Sequence, residues 1–200
     1  MGLRLTRWFL VIAVLAFAGT AKADTVAVDG SYSFAVPPYG IPPYGGTLNG
    51  QSESFYCVDF STPISALDSW NVTITNLTGS NFSSTKLGVL GSMTARTDYL
   101  TMAYLITEMM GATSQSQKAA YQFAIWSFTG GPNQQTNGAL VAAALAAVQS
   151  GFTGQGFEIL TPIGSKGQEF LIYVPEPSVL LMLGIGLIAL VVLSRKRLVS

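Results

Sequence analysis

Histidine is absent from the 200 residues, cysteine occurs once, and charge is sparse and balanced, ten basic residues against ten acidic. Without histidine the chain lacks the commonest general base and the commonest metal ligand. A single cysteine then leaves too few donors for a zinc site, so neither metal nor cofactor is expected. A cysteine nucleophile would also have no imidazole to serve it as base or acid, which argues against an enzyme. Zero net charge offers no polyanion-binding surface, and nucleic acid is not an expected partner. Phosphate-cradling glycine loops, a G-x-S-x-G elbow and EF-hand loops are missing too.

What is present begins at the two ends. Arg4 and Arg7 precede an apolar run at 8–18, and Ala21-Lys22-Ala23 supplies a small-x-small cleavage site. Residues 1–23 therefore read as a signal peptide, handled by the Sec translocon and removed by signal peptidase after Ala23. At the other end Val174-Pro175-Glu176-Pro177 leads into an apolar run at 179–193 and then Arg195-Lys196-Arg197. The run is just long enough to cross a bilayer, so a C-terminal transmembrane helix is expected, with the basic cluster held on the cytoplasmic side. Prolines before the run keep the backbone extended and accessible, which favours processing over a plain anchor. These three parts, over residues 174–197, resemble the PEP-CTERM sorting signal of Gram-negative bacteria that make exopolysaccharide. The resemblance implies recognition by an exosortase in the inner membrane, then transfer or release to the cell surface or matrix.

Between the ends, residues 24–173 read as one α+β domain: antiparallel and β-rich, with a three-helix insert. Residues 36–46 contain Pro-Pro-Tyr-Gly twice and read as a stiff surface loop, because proline fixes φ and removes donors. Residues 54–60 alternate as a strand, with Phe55, Cys57 and Asp59 on one face and Tyr56, Val58 and Phe60 on the other. A second strand is expected over 70–77. Asp98 is the expected cap of a first helix, stopped by Gly111. Ser114-Gln115-Ser116-Gln117 is a capping-box pattern that opens a second helix through Phe128. Asn137 is the expected cap of an alanine-rich third over 139–149. Closing strands are expected at 157–160 and 168–174.

An odd cysteine in an exported chain suggests intermolecular pairing or a reactive thiol, and the alternative is a small side chain buried in a strand. Three stretches bear on the choice. They are Tyr56-Cys57-Val58-Asp59, then Tyr121-Gln122-Phe123-Ala124-Ile125-Trp126, then Gly167-Gln168-Glu169-Phe170-Leu171. In order and composition they resemble the three motifs of bacterial surface-adhesin thioester domains. Tyr121 replaces the threonine of the second motif, and Glu169 stands where the third has an apolar residue. The resemblance implies a bond between the Cys57 sulfur and a glutamine side-chain carbonyl, poised to react with an amine on a surface or matrix ligand. Motif order puts Gln168 ahead as acyl donor, with Gln122, Trp126 and Asp59 in support and Gln122 as the other candidate. A structural matrix protein with an inert cysteine is the competing reading.

Overall fold

The structure, a computed structural model, describes residues 23–174 apart from 92, 133 and 165. The expected signal peptide with Ala21, the sorting motif, the apolar run and the basic stop lie outside the described residues. Six strands are found: β1 (Asp24–Val36), β2 (Tyr39–Leu48), β3 (Gln51–Cys57), β4 (Ser69–Asn76), β5 (Phe157–Pro162) and β6 (Phe170–Tyr173). They close into a barrel in the order β1-β2-β3-β6-β5-β4, and every neighbouring pair is antiparallel. Closure leaves the barrel no free edge for another strand to join.

The insert between β4 and β5 holds four α-helices rather than three: α1 (Lys86–Val89), α2 (Ala95–Gly111), α3 (Gln115–Trp126) and α4 (Asn137–Gln149). Helix α2 starts one turn earlier than its expected cap. Thr94 is the N-cap, and Asp98 sits inside the first turn, where a carboxylate meets the positive end of the helix dipole. Ser114 does cap α3, accepting a hydrogen bond from the Gln117 N–H at 3.2 Å. The helix ends at Trp126 in a 3₁₀ turn (Ser127–Thr129), before Gly130 turns left-handed at φ 86°. Asn137 is buried and is not the cap of α4. Its Nδ2 donates to the carbonyls of Phe123 and Pro132, tying α4 to the end of α3.

The Pro/Tyr/Gly stretch at 36–46 is a second departure, for most of it is strand. Tyr44 pairs with Tyr32 and Ile41 with Phe34, so Pro42 and Pro43 fall in the register shift between them. Pairing with β3 begins only at Tyr44. Both prolines thus stand where a bulge leaves no ladder bond to lose. The β2–β3 turn is Asn49-Gly50, with φ of 55° and 80°, the conformation that an Asn-Gly hairpin favours.

One face of every strand contributes to a single buried cluster, which in a closed barrel is its interior. Val26, Ile41, Phe55, Val72, Leu160 and Phe170 belong to it. The opposite face of β3, β5 and β6, with Tyr56, Val58, Ile159 and Leu171, packs under Leu105, Ile106 and Met109 of α2. Helix α3 serves both clusters. Ala119, Phe123 and Trp126 reach the inner one, while Ala124 and Ile125 reach the outer one. That spacing puts two apolar stripes on one helix and fixes it at the mouth of the barrel. No helix among the described residues is long and apolar enough to cross a membrane.

Candidate functional site

Cys57 is the last residue of β3 and is wholly buried. Its Sγ accepts a hydrogen bond from Trp126 Nε1 at 3.2 Å and donates to the Asp59 carbonyl at 3.4 Å. Burial pushes its pKa up to about 12, only partly offset by the Trp126 and Asp59 hydrogen bonds. The sulfur is therefore a neutral thiol near pH 7, not a ready thiolate.

The two glutamines approach this cysteine differently. Gln122, fully buried in α3, donates Nε2 to the Cys57 backbone carbonyl at 2.8 Å. Gln168 donates Nε2 to the Asp59 carbonyl at 2.7 Å and to the Thr62 carbonyl at 2.9 Å. The Cys57 thiol and the Gln168 amide thus share one acceptor, the Asp59 carbonyl. Two carbonyls on Nε2 also fix the orientation of the carboxamide, because a flip would set oxygen against oxygen. Gln168 Oε1 is buried with no hydrogen-bond partner, as is Gln122 Oε1. Gln168 is not the cross-strand neighbour of Cys57 that a strand starting at 168 implied. Strand β6 begins at Phe170, and Phe170 is the residue paired with Cys57. Gln168 stands just before the strand, and main-chain pairing continues past Cys57 through Val58 N–H to the Glu169 carbonyl at 3.2 Å.

Asp59 lies beyond the end of β3, so the strand expected over 54–60 stops three residues short. Its main chain receives the thiol and the glutamine, while its carboxylate turns to Lys86 Nζ in an ion pair. Oδ1 also accepts from Ser61 N at 3.0 Å and Ser61 Oγ at 2.9 Å. Burial alone would raise the pKa of this carboxyl, but the hydrogen bonds from Lys86, Thr62 and Ser61 and the Lys86 charge outweigh it and hold it low.

Lys86 was not foreseen, and neither were two further contributors. Glu169 is buried, and its carboxylate accepts from Tyr99 OH at 2.5 Å, Thr161 Oγ1 at 2.7 Å and the Lys86 N–H at 2.9 Å. Burial raises its pKa despite those bonds. The only signal was its misfit in the third motif. Thr129, in the 3₁₀ turn, donates to the Val58 carbonyl at 2.9 Å and accepts from Phe60 N–H at 3.1 Å. It clamps the chain on either side of Asp59, and nothing in the sequence marks it. Among the described residues no group of three His, Cys, Asp or Glu could hold a metal ion.

Residues 174–197 match the PEP-CTERM protein-sorting motif. No curated protein and no solved structure matches the chain. The motif supports an exported protein sorted by an exosortase, with a precursor stage anchored at the membrane through its C-terminal end.

Proposed function

We propose that this exported, exosortase-sorted protein carries an internal thioester between Cys57 and Gln168 and uses it to attach covalently to a partner amine at the cell surface or in the matrix. The observation that carries the reading is the shared Asp59 carbonyl, which brings the thiol and the Gln168 carboxamide to one point inside the protein. Such confinement supplies the proximity that a thiol and an amide lack in solution. In forming the bond the sulfur attacks the Gln168 carbonyl carbon, and the amide nitrogen departs with the thiol proton as ammonia. In attachment the partner amine attacks that same carbon, and the sulfur leaves and recovers a proton. The product is an amide on residue 168 and a free thiol on Cys57. The bond is used once, so the protein acts as an adhesive and not as an enzyme.

Gln168 is favoured over Gln122 because it lines an open cleft, through which an amine can arrive, whereas Gln122 is wholly enclosed. Gln122 then holds the Cys57 main chain in place, and Trp126 supports the sulfur through its N–H. Water excluded from the buried sulfur keeps the acyl group intact until a partner is seated. One observation favours the second reading, a structural matrix protein with an inert cysteine. It is the complete burial of Cys57 together with its high pKa.

Methylamine separates the two. The thioester predicts that native protein resists thiol reagents, then exposes one thiol after amine treatment, with the amine recovered as an amide on residue 168. Cys57→Ala and Gln168→Ala should each abolish that amine incorporation, while Gln122→Ala should only weaken it. Recovery of the amine on residue 122 would transfer the acyl role to Gln122. An inert cysteine predicts no incorporation at any residue.

A further inference from the structure

Gln168 and Trp126 line a cleft of about 450 Å³ at the mouth of the barrel. That volume is in the range of sites for small ligands, roughly 300–1,000 Å³. Four more aromatic rings line it, those of Tyr32, Tyr39, Tyr44 and Phe60, and no lining residue is charged. Tyr39, Phe60 and Trp126 pack edge to face or tilted with ring centroids 5.3 to 5.6 Å apart, a rigid aromatic wall. Tyr32 is 51% exposed, and its ring lies over Gly40, where an added Cβ would come within 3.0 Å of it. The remaining polar groups are hydroxyls and main chain, among them Ser31, Thr62 and Ser65. Gln168 is 7% exposed, with Oε1 unpartnered.

An uncharged cleft with an exposed ring at its rim suits a ligand that is flat, neutral and rich in hydroxyls. A phosphate or carboxylate would find no cation among the lining residues, and the nearby carboxylates of Asp29 and Asp68 are taken up by the main-chain N–H groups of Ser31 and Ser65. A peptide that binds by adding a strand would want a free edge, and the closed barrel offers none. We infer that the cleft is a glycan subsite, seating a sugar ring on Tyr32 and the aromatic wall. Resting on the thioester reading, the partner amine is then the free amino group of an aminosugar. The low polarity of the cleft disfavours the charged ammonium form and so keeps that amine nucleophilic.

The test uses full-length chain in detergent with two probes, a β-1,4-linked glucosamine tetramer and its fully N-acetylated form. In the Cys57→Ala variant, which cannot form the thioester, both tetramers should bind reversibly in a calorimetric titration. Cys57→Ser replaces it should alanine not fold. Adding Tyr32→Ala should weaken binding about tenfold, a loss of one stacked ring, while Tyr32→Phe should leave it unchanged. In the otherwise native chain only the glucosamine form should add covalently, at residue 168. Binding of both tetramers with no adduct would support the subsite and overturn the thioester. Incorporation of methylamine without binding of either tetramer would overturn the glycan subsite and leave the thioester standing. Faster acylation of a lysine tetrapeptide than of the glucosamine tetramer would also overturn it.

Discussion

On one side of β3, Tyr56 and Val58 meet Leu105, Ile106 and Met109 in a packed layer of aliphatic and aromatic side chains. On the other side, Phe55 and Cys57 meet Trp126, Phe123 and Phe170 at the mouth of the barrel. Of the four buried polar side-chain atoms left without a partner among the described residues, three lie on the inner side: Trp70 Nε1, Gln122 Oε1 and Gln168 Oε1. Each such atom forfeits hydration without compensation, so burying three on this side opposes stability. The helical insert carries only the fourth, Asn137 Oδ1, so the outer layer bears less of this cost and supplies the burial that tolerates it. The comparison separates a face of apolar packing from a face that surrounds Cys57 with buried polar groups.

Trp126→Ala should break the inner side most severely. Truncating a buried aromatic commonly costs about 3–5 kcal/mol. It also removes the N–H on the Cys57 sulfur and opens the wall of the cleft to water. Thermal denaturation should show the loss, and the proposed thioester, if present, should hydrolyse and expose the thiol to labelling in folded protein. Leu105→Ala probes the outer side, where a leucine truncation costs about 2–5 kcal/mol. Its melting point should fall while the rate of methylamine incorporation, measured well below melting, stays as it was. An altered rate would show that the two faces are coupled. Gln122→Ala should have a smaller effect on unfolding, about 1–3 kcal/mol for a buried carbonyl deprived of its donor, yet slow amine incorporation by loosening the Cys57 main chain.

The sequence pattern reached the two-sided character of β3 because alternation has period two and does not depend on what covers each face. It reached Ser114 for a similar reason, since capping is local, whereas Gln122 and Trp126 came only from the resemblance of their stretch to a known motif. The strand from Tyr39 to Leu48 was hidden because two prolines read as a break, and only the β1 register shows that they occupy a bulge. The Asn49-Gly50 turn was legible and passed over. Glu169 could not be placed, because its three donors come from β5, α1 and α2, and no local pattern joins them.

Asp59 and Glu169 sharpen the comparison through pH, with the smallest expected effects. The carboxyl of Asp59 is held below its ordinary 3.8, so it contributes stability above that pH and loses it as pH falls through the folded value. Glu169 is raised above 4.5, so its contribution runs the other way: stability should decline as pH rises from 4.5 through its folded value. Lys86→Met should flatten or reverse the first trend, since it leaves Asp59 buried without its cation. Glu169→Gln should remove the second. Denaturant midpoints measured from pH 3 to 8 read both.

The mass of the untreated protein tests the central claim most directly. Purified after export and kept native, with the termini it has then taken as found, it should be one ammonia lighter than its sequence requires. Fragmentation should place the deficit on a link between Cys57 and Gln168. A mass equal to that of the sequence, with residue 168 recovered as unmodified glutamine, would contradict the thioester account.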